Sequence, residues 1–127
     1  MTHPHKARRG VQRIVHAAGY SIAGLSAAWR HESAFRQECA LAVVLLPAAW
    51  WVGRSWIEVT LLAGSVMGVL IVELLNSAIE AVVDRVSPDL HPLSKRAKDI
   101  GSAAVMLSLI TCAAMWCTAL WQRWAST

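Results

Sequence analysis

A polar stripe runs through the middle of an apolar segment. Val66 to Val86 reads VMGVLIVELLNSAIEAVVDRV, apolar enough to sit in lipid, yet it carries Glu73, Asn76, Ser77, Glu80 and Asp84. At about 100° per residue in a helix, these positions fall within roughly a third of the circumference, and the other side is Leu, Val, Ile and Ala. Ionisable groups at membrane depth are costly, so each is a functional-site hypothesis by default. Whatever this chain folds into must hide one helix face from lipid. A single copy has too few helices to enclose such a face, so oligomerisation is expected.

Composition agrees with a membrane setting. The chain has 127 residues, 56% of them hydrophobic and 16% charged, which excludes an ordinary soluble domain. One domain spanning residues 1–127 is expected. The seven Trp residues lie mostly near the ends of apolar runs, where interfacial anchors belong. The net charge of +4 fits loops obeying the positive-inside rule, and no basic folded face or known module points to nucleic acid. Cys39, Cys112 and Cys117 lack metal-type spacing and read as small apolar residues.

The pattern predicts an all-α membrane protein with three transmembrane helices and an N-terminal amphipathic surface helix. Met1 to Gly10 reads as a basic tail, and no cleavable signal peptide is expected there. Residues 11–30 place Val11, Ile14, Val15, Ala18, Ile22, Leu25 and Trp29 at helical spacing beside Arg13 and His16, the pattern of a helix lying on a membrane surface. Membrane helices are expected over 34–52, 57–85 and 93–121. Pro47 is a candidate kink in the first, and Pro88 and Pro92 break the chain after the second. Basic residues gather before the first span and between Arg85 and Lys98, so both regions are expected in the cytoplasm. The stripe then descends from Glu73 in the bilayer to Asp84 at the cytoplasmic surface, where ATP is available.

Glu73 and Glu80 are two turns apart, about 10 Å along the axis, too far to share one metal directly. That spacing suits a division of labour. Glu73, partly desolvated, suits a general base acting on a membrane-resident substrate. Glu80, nearer water, suits a divalent cation on a phosphate donor, since magnesium takes one or two carboxylates plus phosphate oxygens and water. Asn76 could orient the Glu73 carboxylate or the reacting phosphate; the alternative for it and for Glu73 is interhelical polar glue. Lys98 is a point charge for phosphoryl oxygens, and Asp99 beside it could position it or ligate metal. Gly101, Ala103 and Ala104 allow close packing that would bring this pair against the stripe. Glu32 is a candidate second carboxylate for the metal, or half of an i,i+4 pair with Arg36. His31 and His91 have no paired ligand spacing and read as surface residues. No P-loop and no protein-kinase element is present in the sequence, so ATP chemistry would use an unrelated scaffold.

ELLNSAIEAVVDR (Glu73 to Arg85) and KRAKDIGSAAV (Lys95 to Val105), with AAGYS (Ala17 to Ser21) and AWRHESAFRQE (Ala28 to Glu38), resemble the signature of the small prokaryotic diacylglycerol kinases. The resemblance runs from about Arg13 to Trp121. It implies a homotrimer with active sites shared between subunits in the bacterial inner membrane, N-terminus cytoplasmic. It also implies phosphorylation of 1,2-diacylglycerol to phosphatidate with ATP and Mg2+ or another divalent cation. By resemblance, Glu73 is the base, assisted by Asn76 and Lys98, and Glu32 and Glu80 hold the metal. Arg13, Tyr20, Glu32, Glu80, Asp89, Leu90, His91, Lys98 and Asp99 contact the nucleotide. The lipid meets Arg13, Ala17, Ala18, Gly19, Tyr20, Ser21, Ile22, Ala34, Phe35, Arg36, Gln37, Glu38, Glu73, Ser102 and the Trp116 to Trp121 end of the last helix. Asn76 and Asp84 match positions important for activity or site geometry. Ile22, Ser26 and the Gly53 to Glu58 connection depart from the best-known members, which leaves acyl-chain and head-group details open. Related undecaprenol kinases share the stripe, so undecaprenol is the alternative lipid, although AWRHESAFRQE resembles the diacylglycerol branch more. A small proton-coupled transporter would also need an intramembrane acid, but not Glu80, Asp84, Lys98 and Asp99 at the surface; a structural subunit would need none of them.

Overall fold

The computed structural model describes residues 10–125, and the basic tail expected over residues 1–10 lies outside them except for Gly10. The described residues form four helices and no strand: α1 (Val11–His31), α2 (Ser33–Val52), α3 (Trp56–Val86) and α4 (Pro92–Ala125). They fall into two units, one ending at Ser33 and the other beginning at Ala34.

The first unit is α1. It starts after Gly10, whose φ of 65° favours a residue without a side chain. It ends where Glu32 turns to extended backbone, its N–H donating to the Ala28 carbonyl at 2.9 Å. Arg30 and His31 occupy the last turn, where cations suit the negative end of the helix dipole. Val11, Ile14, Val15, Ile22, Leu25 and Trp29 are all exposed, so the apolar stripe expected of a surface helix is on display.

The second unit holds α2, α3 and α4. Each is long and apolar enough to cross a membrane. α2 continues through Pro47, which gives up one backbone donor. α3 has 31 residues and α4 has 34, so at 1.5 Å per residue they run ~46 and ~51 Å, well beyond a ~30 Å hydrocarbon core. Both are therefore longer than a span requires.

Local chemistry sets the helix ends. Ser55 is the N-cap of α3, accepting the Glu58 N–H at 3.2 Å, while the Glu58 carboxylate accepts the Arg54 N–H at 2.6 Å. This is a capping box shifted by one residue. Pro92 opens α4, where its missing N–H costs nothing, and the His91 ring Nδ1 accepts the Leu93 N–H at 3.1 Å. His91, read as a surface histidine, also caps a helix. α4 was expected to end at Trp121 but runs to Ala125; the Arg54 guanidinium donates to the Gln122 carbonyl and Arg123 stacks 5.0 Å over the Trp51 ring, which holds its last turn.

α3 and α4 pack along each other, and a core of Ala42, Ala49 and Val52 from α2, Leu62 and Val66 from α3 and Trp116 from α4 ties the unit together. Ser65 is the polar knot of this core. It donates to the Leu62 carbonyl at 2.7 Å and accepts the Trp116 indole N–H at 3.2 Å.

Candidate functional site

Burial declines steadily along the stripe. Glu73 is 5% exposed and Asn76 9%, Ser77 and Glu80 are half-buried, and Asp84 is exposed. The i+3 and i+4 spacing keeps all of them on one face of α3, and that face meets both neighbouring helices. Glu38 of α2 brings its carboxyl into hydrogen-bonding contact with that of Glu73. Gly101 of α4 is buried against the Asn76 side chain. Asn76 Nδ2 reaches Glu80 Oε1 at 3.4 Å, a long bond that links the deep and shallow halves. Three buried polar atoms here have no hydrogen-bond partner: Asn76 Oδ1, Ser77 Oγ and Glu38 Oε2. Buried polar groups are nearly always satisfied, so this cluster leaves the face with hydrogen-bonding capacity in reserve.

The shallow end is a second centre. Lys98 Nζ lies 2.7 Å from Asp84 Oδ1, and Lys95 Nζ lies 2.6 Å from Asp99 Oδ2. Asp99 therefore pairs with Lys95 and not, as its sequence neighbour suggested, with Lys98. On a helix, neighbours in sequence point 100° apart, whereas i,i+4 residues share a face. An open cavity of about 680 Å³ gathers Asp84, Asp89, Leu90, His91, Lys98 and Asp99. That volume is ordinary for a small-molecule site.

The remaining expected residues are placed as follows. Arg13 and Ala17 to Ile22 lie exposed on α1, with Ser21 Oγ donating to the Ala17 carbonyl at 3.0 Å. Glu32 is half-buried between α1 and α2 in sequence. On α2, Ala34 and Gln37 are exposed, Arg36 and Glu38 half-buried and Phe35 buried. Ser102 and Trp121 are exposed on α4, while Trp116 is in the core with its N–H given to Ser65. Among the described residues, no group of three or more His, Cys, Asp or Glu side chains gathers to hold a metal. Magnesium does not require one, and the half-buried Glu80 carboxylate beside an amide fits its usual demand of one or two protein carboxylates.

Sequence reasoning missed the meeting of Glu38 with Glu73 and two contacts between α3 and α4. Asp84 is the counter-ion of Lys98, a pairing signalled by opposite charges at the same end of two helices joined by a short loop. Gly101 receives Asn76, and only its small size on the inner face of α4 hinted at that.

Fold and site together define a multi-helix membrane protein with a buried acid and a charged, cavity-lining surface at one end of the same helix pair. The chain matches the family model for prokaryotic diacylglycerol kinase over residues 19–120 and belongs to that family. It is 52% identical over 114 residues to the diacylglycerol kinase of Escherichia coli strain K12, covering 90% of this chain and 93% of that protein. With the diacylglycerol kinase of Pseudomonas aeruginosa PAO1 it shares 52% identity over 117 residues, covering 92% and 95%. The diacylglycerol kinase of Haemophilus influenzae Rd is 44% identical over 107 residues, covering 84% and 91%. The chain is thus a transmembrane kinase.

Proposed function

We propose that this chain transfers the γ-phosphate of ATP to the primary hydroxyl of 1,2-diacylglycerol, giving phosphatidate and ADP. The observation that carries the reading is the single α3 face that joins a buried acid to a charged, cavity-lined end. Glu73 takes the proton of the lipid hydroxyl. The hydroxyl oxygen bonds to the γ-phosphorus, the bond from that phosphorus to the bridging oxygen of ADP breaks, and ADP leaves with the electron pair. The Glu38 carboxyl meets that of Glu73 at this point of the stripe. Lys98 neutralises developing phosphoryl charge, and Asn76 orients Glu80.

Glu80, with Glu32, would hold a divalent cation such as Mg2+, which supplies further charge neutralisation at the phosphates. Arg13, Tyr20, Asp89, Leu90, His91 and Asp99 would complete the nucleotide site. Ala17 to Ile22, Ala34 to Glu38, Ser102 and the Trp116 to Trp121 end of α4 would line the path of the lipid. The exposed apolar residues of α1 support its placement on the membrane surface. A homotrimer with shared sites in the inner membrane, N-terminus cytoplasmic, completes the reading. The large exposed apolar surface of α2, α3 and α4 leaves room for both lipid and sister subunits.

The test is direct. Purified protein in mixed micelles is given labelled ATP and either diacylglycerol or undecaprenol. Label is expected in phosphatidate. Label only in undecaprenyl phosphate would reassign the lipid, and no transfer by a folded protein would refute the kinase reading for this chain.

A further inference from the structure

Gly101 is buried on α4 where it faces Asn76 of α3. A Cβ at Gly101 would collide with Asn76 Oδ1 and lie 3.2 Å from its Cγ, but 3.9 Å from its Cβ. The conflict is with the tip of the amide, not with its root or with any backbone. Asn76 itself is only 9% exposed. Its Oδ1 has no hydrogen-bond partner, and its Nδ2 reaches Glu80 Oε1 at 3.4 Å. The amide nitrogen donates to Glu80, which leaves the amide oxygen turned toward α4. A partnerless buried amide oxygen is unfavourable, and the rotamer that creates it also keeps the nitrogen on Glu80. Such a pose needs a neighbour without a side chain, and α4 supplies one at the required register.

We propose that Gly101 is a positioning residue for phosphoryl transfer: its missing side chain is the slot that holds Asn76 in the rotamer from which Nδ2 orients Glu80. The inference rests on the reading of Glu80 as the carboxylate of the nucleotide end. An alanine at this position swings the amide about its side-chain torsions. The fold gives little, because a side-chain tip moves and no backbone need shift. Glu80 loses its donor. The effect reaches the nucleotide and not the lipid.

The test is a double-mutant cycle on the full chain in mixed micelles with ATP and diacylglycerol. Gly101→Ala is expected to lose about 10-fold in kcat/KM for ATP, with KM for diacylglycerol unchanged. Asn76→Ala is expected to lose a similar factor. The double variant loses no more than Asn76→Ala alone, because the added methyl then has no amide to displace. Losses that multiply in the double variant overturn the proposal, as does wild-type nucleotide kinetics in folded Gly101→Ala. If Gly101→Ala does not fold, the double variant decides. Folding with the kinetics of Asn76→Ala supports the slot, and failure to fold shows that the glycine serves helix packing alone and overturns it. A wild-type protein inert toward diacylglycerol and undecaprenol would instead overturn the kinase reading, so the two failures are distinguishable.

Discussion

At the Trp-rich end of the α3–α4 pair, polar groups are tied off: Ser55 Oγ takes the Glu58 N–H, the Glu58 carboxylate takes the Arg54 N–H, and the Arg54 guanidinium donates to the Gln122 carbonyl. Aromatic contacts close the same end, with Trp50 and Trp56 edge to face at 4.7 Å and Arg123 over Trp51. Toward the acidic end, Asn76 Oδ1, Ser77 Oγ and Glu38 Oε2 are buried without partners. The ion pairs beyond them are side chain to side chain and exposed to water. Polar chemistry that caps and clamps spends itself on the fold. Polar chemistry left partly unspent is available to a substrate, at some cost in stability.

Substitutions break this comparison in a definite order. Glu73→Gln, at the unspent end, keeps the shape of the acid and removes the base; turnover is expected to fall about 100- to 10,000-fold in the mixed-micelle assay, with the protein still folded. Near-normal turnover would remove Glu73 from its proposed role. Lys98→Met is expected to lower kcat/KM for ATP about 100-fold. Its thermal unfolding in detergent should stay close to that of the parent, because the pair with Asp84 is solvent-screened. A large drop in unfolding temperature would make the lysine a structural residue instead.

The core and the Trp-rich end should respond in the opposite currency. Ser65→Ala strips the acceptor from the buried Trp116 N–H, and about 1–3 kcal/mol of stability should go with little change in kinetics. Ser55→Ala removes the N-cap of α3 and should cost about 1 kcal/mol, again sparing catalysis. Denaturant titration beside the kinase assay reads both. A catalytic loss from Ser55→Ala larger than its stability loss would erase the distinction between the ends.

Much of this was legible in the chain. Apolar runs of spanning length, Trp residues at their ends and Pro at the turns marked the helices, because each is a local signal. The stripe was legible for the same reason: one helix has one period, and Glu73 to Asp84 obey it. What was hidden was rotation of one helix against another. Which carboxyl meets Glu73 depends on how α2 turns, and Glu38 emerged only from packing. The exchange of partners between Lys98 and Asp99 has the same cause, since adjacency in sequence says little about adjacency across a helix pair. Gly101 was legible as a small residue but not as the seat of an amide. The extra turn of α4 depends on contacts from Arg54 and Trp51, far away in sequence.

α3 is one uninterrupted rod from Trp56 to Val86. The heights of its acids relative to one another are therefore set by helical rise, like marks on a ruler. Glu73 and Glu80 cannot drift together or apart as lipids exchange around them. On the proposed reading, the lipid comes to one fixed mark and ATP to the other. Bilayer thickness then becomes a reaction coordinate of a kind, because thinning or thickening the membrane slides the water line along the ruler without moving the marks.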